Sequence, residues 1–493
     1  MNLLFVSDLD FTILYKEIAG LFKKKLDYKC DALIGGRLFY ERYKNDISFR
    51  KTWYFQEICG ENEKILSDMS WEKVLEEIEV YENKYGRPTL LSAALSDRTY
   101  CNLPRQDRAR RVIGTYKRIE SFLDENKPDF VISSGFEALP HFIFSDVCQY
   151  RKIPVFYFLC TRILNLHSSM YNQYEESSSH GINLNLEPSN ESLIKAENYI
   201  EAYIKKQHKP LLEQLLPYDN YKIGFNKIYN FFRYLYRYYV TKTYANDHAY
   251  LSPIKKINFE IKNRIKRFSH KYLNYSNLPD DLENWYYFPL HVQPEYTTLI
   301  AGINAQDQIG TIISLSNSIS LGEGIVVKEH PGMLGRRSKL YYKKIMALPN
   351  VRLVKPSTST FELIRKSKGL ITINGTAGME AALIGKPVIT IGNAVFNNYY
   401  NILKLKDIPR RKWAENIRSY TRGFKFNKTK LIKYVAQVFS QCNSFDFVEP
   451  QNSDAVIEKE NILKIFNHIN NEIKKSISDK NYGLQIIENK SYI

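Results

Sequence analysis

The stretch Ile371–Gly392, ITINGTAGMEAALIGKPVITIG, constrains this chain more than any other. Leu370–Ile373 is a short apolar, β-branched run, and Asn374–Gly378 is a loop of small residues. Met379–Ile384 is helical in composition, Gly385 ends it, and Lys386-Pro387 leads into a second apolar run, Val388–Ile391. Strand, short helix and strand make a parallel βαβ unit, whose ligands sit at the carboxyl ends of the strands against the helix N-terminus. Small residues there let an anion reach backbone N–H groups, and the helix dipole favours negative charge. The stretch reads either as a phosphate or nucleotide cradle or as a βα turn whose glycines only satisfy packing.

The remainder of the chain supplies two α/β halves. Asn2–Ser7 reads as a first buried strand ending at Asp8-Leu9-Asp10, followed by helix through Lys25 and a second strand at Leu33–Leu38. Residues 61–85 and 105–126 carry helical periodicity. Asp129–Ser133 is a strand, a Ser-Gly turn opens a helix through Tyr150, and Ile153–Leu159 is another buried strand. This order is doubly wound α/β. The segment 168–192 is polar and loop-like, and 193–216 is helical. A second α/β half starts at Tyr286: strands Tyr286–Leu290, Gly324–Lys328 and Val351–Val354 alternate with helices at 296–317, around Tyr341 and Ile345, and at 357–367, the last opened by Ser357 or Thr358. The boundaries read as 1–165, 166–283 for a helical insertion and linker, 284–425, and a helical tail at 426–493.

Charge bears on partners. Lys and Arg total 70 against 53 Asp and Glu, a formal net charge of +17, which attracts nucleic acid, anionic lipid or phosphorylated substrates. The excess concentrates in 221–272, with FFRYLYRYY at 231–239 and Lys255, Lys256, Lys262, Arg264, Lys266 and Arg267 beyond, opposed only by Asp247 and Glu260. Two readings are open: docking on an anionic membrane, or amphipathic helices that pack their aromatics inward. Six cysteines without a CxxC pair argue against a zinc ribbon or a disulfide framework and fit a reducing cytosol. The start, MNLLFVSDLDF, lacks the basic and apolar regions of a signal peptide. No run approaches the roughly 18 uncharged apolar residues needed to span a bilayer. The expected location is cytoplasmic, with peripheral attachment to the inner face of the plasma membrane under the first reading.

Three loops of the second half follow strands expected to lie side by side: His291-Val292-Gln293-Pro294-Glu295, Lys328-Glu329-His330-Pro331-Gly332, and Asn374-Gly375-Thr376-Ala377-Gly378-Met379-Glu380. Together they offer imidazole, ammonium, hydroxyl, exposed N–H groups and carboxylates, the set that a nucleotide phosphate ester needs. His330 and Lys328 can neutralise phosphate, Thr376 can cap its helix and bond a phosphate oxygen, and Glu380 sits where a carboxylate could take ribose hydroxyls.

These pieces, YYFPLHVQPE, IVVKEHPGM and TINGTAGMEAALIGKPVITIGNAVFNNYY, resemble the bacterial capsule polysaccharide synthesis family, glycosyltransferases of the GT-B type. The likeness covers residues from about 284 to 402. It departs at Asn374-Gly375-Thr376, where the family usually carries Ser-Ser or Ser-Thr. The resemblance implies a GT-B-like α/β fold: two Rossmann-like domains facing across a cleft, here with a helical basic and aromatic insertion. It implies a metal-independent enzyme without a cofactor, and a nucleotide-sugar donor held by His291, Gln293, Glu295, Lys328, His330, Pro331, Asn374, Gly375, Thr376, Ala377, Gly378 and Glu380. CMP-sugars are among the candidates, since the His-Pro element also occurs in sialyltransferase-like folds. The acceptor would be a growing or lipid-linked glycan, and polysaccharide assembly proteins and the inner-membrane surface are the further partners; nucleic acid is not one.

In such enzymes the N-terminal domain holds the acceptor and a catalytic carboxylate that deprotonates its hydroxyl. Glu137, in the loop after DFVIS, is the first candidate, and Asp8 and Asp10 are the next; His141 and Arg162 lie near the same edges. Asp8-Leu9-Asp10-Phe11-Thr12 also resembles the haloacid dehalogenase phosphatase signature, but no late acidic pair follows a strand. A nucleotide-sugar 2-epimerase and a non-catalytic capsule-assembly protein are the rival functions.

Overall fold

The computed structural model describes residues 1–59, 69–87, 89–135, 138–171, 182–206, 225–245, 250–270, 272–302, 305–448, 450 and 453–479. In the first half the strands are β1 (Asn2–Ser7), β2 (Lys29–Ile34), β3 (Thr52–Tyr54), β4 (Phe130–Ser133), β5 (Val155–Cys160) and β6 (Leu166–Met170). In the second they are β7 (Trp285–Pro289), β8 (Gly324–Lys328), β9 (Val351–Val354), β10 (Gly369–Thr372), β11 (Val388–Thr390) and β12 (Ile402–Lys404). Each half forms its own sheet, and both run in one order. The first is β3-β2-β1-β4-β5-β6 with a last strand, β13 (Asn443–Ser444), beside β6; the second is β9-β8-β7-β10-β11-β12. Numbered within each half, both read 3-2-1-4-5-6, the Rossmann order. The second sheet is parallel throughout. In the first, β6 and β13 run antiparallel to their neighbours.

Near-continuous apolar strands explain burial on both faces. Leu3 and Phe5 of β1 meet Ile18 and Phe22 of the helix Phe11–Leu26 on one side, and Leu4 and Val6 meet the core around Tyr116 and Ile143 on the other. The second strand of the chain was expected at Leu33–Leu38 but ends at Ile34. Gly35 donates its N–H to the Ser7 carbonyl, and Gly36, at φ 81°, turns the chain into the helix Arg37–Tyr43. Polar Asp31 disguised the true strand; it is buried and salt-bridged to Arg50 at 2.5 Å.

Other expectations shift for equally local reasons. The span 296–317 is two helices, Tyr296–Leu299 and Gln308–Ser316. After the first, a Cβ on residue 302 would meet Ile373 at 2.6 Å, so Gly302 is required there, and Asp307 caps the second piece by accepting the Ile309 N–H at 3.0 Å. The helix expected at 357–367 is Thr360–Lys366, and Ser359, not Ser357 or Thr358, caps it.

The insertion and the tail are not appendages. Leu166–Met170, assigned from sequence to the polar linker, is β6 of the first sheet. Helix Asn190–Lys206 packs along Lys428–Gln441 and touches Ala377–Leu383, so it lies between the halves. The tail holds the expected helices, Lys428–Gln441 and Lys459–Ser478, and its later described elements return to the first domain. Strand β13 extends its sheet, and helix Lys459–Ser478 lies on Phe11–Leu26 with Phe466 and Phe22 ring centroids 4.6 Å apart. Ile465, Ile469 and Ile473 enter the core of β1 with no exposed surface. Ile469→Ala should therefore cost about 2–5 kcal/mol, as deletion of a buried aliphatic side chain does. Thermal denaturation checks this, and an unchanged melting temperature would mean a loosely attached tail.

Candidate functional site

In the second sheet β7 is central, with β10 on one side and β8 on the other. The strand order reverses between β7 and β10, the switch point where a parallel sheet leaves a crevice at its carboxyl edge. The loops after β7, β8 and β10 open there side by side, as their spacing predicted.

A buried network joins them. The Glu329 carboxylate accepts the His330 N–H at 2.6 Å and the Tyr342 hydroxyl at 2.7 Å, with Arg337 Nη1 at 3.3 Å. Burial raises the Glu329 carboxyl above the usual range, while Arg337, Tyr342 and the His330 N–H pull it back. The other arm of Arg337 donates to the His291 carbonyl, which ties the β8 loop to the β7 loop. Gln308 holds His291 from the other side, accepting its N–H at 2.9 Å and donating to its carbonyl at 3.2 Å. The His291 ring completes the chain of contacts: Nε2 lies 3.2 Å from Thr372 Oγ1, which accepts the Gly375 N–H at 3.0 Å. A Cβ on residue 375 would stand 2.9 Å from His291 Nε2, so this glycine is required by the approach of the imidazole. Burial, then His330 and Arg337, lower the His291 pKa to about 3, which keeps the ring neutral.

Over this network lies a cavity of about 230 Å³. His291, Glu295, Lys328, His330, Pro331, Asn374, Gly375, Thr376, Ala377 and Glu380 line it, ten of the twelve residues proposed for the donor. His330 Nδ1 accepts the Gly332 N–H at 3.1 Å, so the neutral ring carries its proton on Nε2 and can donate it. Thr376 is solvent-exposed in the cavity wall.

Several expected roles change. Thr376 makes no capping bond to the helix Ala377–Leu383, because its own backbone is already helical. Lys328 is almost wholly buried; its Nζ donates to the Thr358 carbonyl at 2.8 Å and to Thr360 Oγ1 at 2.6 Å, so it braces the cavity floor. Gln293, before a cis peptide to Pro294, is bound to Gln306 and Gln308 and does not line the cavity. Gly378 is absent from the lining too: a Cβ there would meet the Phe396 ring at 2.5 Å, a packing requirement. Asn374 is buried, with Nδ2 on the Thr297 carbonyl at 2.8 Å, so it fixes the loop rather than presenting a hydroxyl-like group.

Sequence reasoning left Glu329, Thr360, Tyr287 and Thr297 out of the wall they help to form. The signal for Glu329 was a lone acid between Lys328 and His330 at a strand end. Arg162 reaches the same cavity from the first domain, from the turn between β5 and β6 and with φ at 65°.

A second cavity, of about 610 Å³, lies at the carboxyl edge of the first sheet. Asp8, Asp10, Arg98, Ser134 and His141 line it, with Glu295 and Tyr296 from the second domain. Glu295 belongs to both walls, so the two cavities adjoin across the cleft between the domains. Asp8 is half-exposed, with Oδ1 3.3 Å from His141 Nε2, and its N–H donates to Ser134 Oγ at 2.9 Å. Asp10 is buried at the start of the helix Phe11–Leu26. Glu137 lies outside the described residues. Asp97 holds the neighbouring wall by accepting the N–H groups of Thr99, Tyr100 and Leu139.

Two Rossmann-like domains that face each other across a cleft, with a built cavity at each sheet edge, define the GT-B class of architecture. Residues 178–399 match the family described as capsule polysaccharide biosynthesis protein, the family that the loop motifs resemble. Protein FixF of Sinorhizobium fredii (strain NBRC 101917 / NGR234) is 35% identical over 98 residues, 20% of this chain; the match spans 23% of that relative's length. Among solved structures, UDP-GlcNAc 2-epimerase from Neisseria meningitidis is similar over 89% of this chain and 98% of its own, at 14% identity and a TM-score of 0.28. KpsC from Thermosulfurimonas dismutans, a beta Kdo 2,7 transferase, is similar over 68% of this chain and 88% of its own, at 11% identity and a TM-score of 0.31.

The lowered pKa of His291 has a thermodynamic consequence. Between the ordinary value of about 6.5 and the folded value, the unfolded chain binds a proton that the folded chain excludes. Stability therefore rises with pH and is lost as pH falls through this window. Burial lowers His167 and His468 of the first domain in the same sense, each to about 4. Urea denaturation from pH 7 down to pH 4.5 should show falling stability, and His291→Gln should flatten the slope by up to about 1.4 kcal/mol per pH unit.

Proposed function

We propose that this chain is a glycosyltransferase of capsule or surface polysaccharide assembly, moving a sugar from a nucleotide-sugar donor to a growing or lipid-linked glycan. The observation that carries this reading is the pair of adjoining cavities. One is walled by three loops at a Rossmann switch point and rich in donors, and the other holds a half-exposed carboxylate. Donor phosphate would occupy the smaller cavity, meeting His330 Nε2–H and the Arg162 guanidinium, with the Lys328 charge beneath. The acceptor would occupy the larger one.

Asp8 is the favoured base, ahead of buried Asp10, with His141 orienting it. It would take the proton of the acceptor hydroxyl as that oxygen bonds the anomeric carbon. The bond from that carbon to the phosphate oxygen breaks, and the pair of electrons leaves with the phosphate. Cations already placed around that phosphate stabilise the charge it gains, which is the term expected to dominate. In this reading the cations come from the protein and no metal is required. CMP-sugars are the first donors to test.

Thermal shift against CMP, UDP and GDP tests the donor site, since a ligand bound to the folded state raises the melting temperature. One nucleotide should shift it in a concentration-dependent manner, and His330→Ala should abolish the shift. Asp8→Asn should keep that shift and lower turnover by about 10²–10⁴-fold, the usual worth of a general base. No shift with any of the three defeats the reading. Conversion of donor to its 2-epimer without acceptor would replace it with an epimerase.

A further inference from the structure

The described residues of the basic, aromatic segment form two helices, and both turn apolar side chains outward. Helix Pro253–His270 carries Ile254, Ile257, Ile261, Ile265 and Phe268 at three- and four-residue steps, so they share one face. That face points to solvent: with Tyr272 just beyond, these residues are between 40% and 68% exposed. On the opposite side Lys256, Asn263 and Arg267 meet the protein, while Phe259 there is exposed. Lys256 Nζ sits 3.6 Å over the Tyr234 ring, Arg267 Nε donates to the Leu334 carbonyl at 3.0 Å, and Gly335 abuts Asn263 and Arg267. The preceding helix, Phe225–Leu235, and the turn Tyr236–Val240 repeat the pattern. Ile228, Phe232, Tyr236 and Tyr239 are exposed, while Tyr234 is buried under Lys256.

We infer that this helix pair lies in the interface of an anionic bilayer and holds the protein on a membrane surface. An apolar stripe turned outward demands an apolar occupant, because such patches are not left in water on a soluble monomer. The charges at its borders choose which one. Lys262 and Arg264 lie on the two sides of the Ile261–Ile265 stripe, with Lys255 and Lys266 exposed nearby and Glu260 the one acid of the helix. Protein interfaces are depleted in lysine, whereas lysine and arginine beside an apolar stripe fit headgroup phosphates above acyl chains. At a rise of about 1.5 Å per residue the helix offers a contact line of about 27 Å. Its seat, Leu334–Gly335, directly follows the His330 loop, so a docked bilayer would lie beside the cleft. The docking claim stands on this surface and does not depend on the reaction proposed for the cleft.

Co-sedimentation of the full chain with vesicles tests it. The chain should pellet with roughly 3:1 phosphatidylcholine:phosphatidylglycerol vesicles and at least about tenfold less with pure phosphatidylcholine. The variant I261S/I265S/F268S should bind anionic vesicles about tenfold less or weaker still, and K262E/K266E should do the same through charge. These positions are exposed, so both variants should keep the wild-type melting temperature and nucleotide shift. That separates failure of docking from failure of the donor site. The inference is overturned if the wild-type chain stays in the supernatant with anionic vesicles, or if both variants pellet like it. It is equally overturned if light scattering shows a wild-type dimer that I261S/I265S/F268S dissolves, since a second copy would then cover the stripe.

Discussion

A carboxylate buried beneath the second sheet's edge holds the candidate donor site together. Glu329 has no exposed side-chain surface, and isolated charge in that position would be costly. It is tolerated because Arg337, Tyr342 and the His330 N–H converge on it. Since Arg337 also grips the His291 carbonyl, the requirement to satisfy one acid fixes two loops at once. Through His291 and Thr372 the constraint reaches Gly375 of the third. Removing a partner from such a network leaves a buried group unpaired, which costs more than the lost bond itself. The cavity wall is thus fixed by its own hydrogen bonds.

The first domain meets this wall with strained backbone. Leu9, at φ 42°, separates Asp8 from Asp10 at the end of β1, and Arg162, at φ 65°, follows β5. Left-handed conformations cost residues with a Cβ about 1–2 kcal/mol. Each turns the chain sharply at a carboxyl edge of the first sheet, and each lies in a cavity wall. Arg162 thereby supplies a cation to a cavity built by the other domain. The domains are coupled further by helix Asn190–Lys206, which packs on Lys428–Gln441 and Ala377–Leu383, and by the return of β13 and Lys459–Ser478 to the first domain. A chain that crosses between domains more than once keeps the two sheet edges opposed.

Much of the site could be read from the sequence. Parallel βαβ chemistry and loop spacing placed ten of the proposed donor residues around one cavity, because apolar strand runs and their ends are local signals. The residues whose roles change share a cause. Lys328 and Gln293 were read by what their side chains can do and Gly378 by the backbone it could expose, and each is committed to a neighbour far along the chain: Thr358 and Thr360, Gln306 and Gln308, and the Phe396 ring. Thr376 fails as a cap for a backbone reason, since capping requires a non-helical residue. The strand β2 was misplaced because Asp31 is polar, and only its pairing with Arg50 makes burial affordable.

The sequence by itself determined the βα rhythm of both halves, the positions of most strands, the three loops at one sheet edge and the amphipathic period of Pro253–His270. Periodicity and turn chemistry are written in neighbouring residues. Only the tertiary structure decided that Leu166–Met170, β13 and Lys459–Ser478 belong to the first domain, that Arg162 enters the cavity of the second, and which face of Pro253–His270 meets water. A helical period specifies that two faces differ, but which one is buried depends on what the rest of the chain packs against it. Here Tyr234, Leu334 and Gly335 take the polar face and leave the apolar one outside.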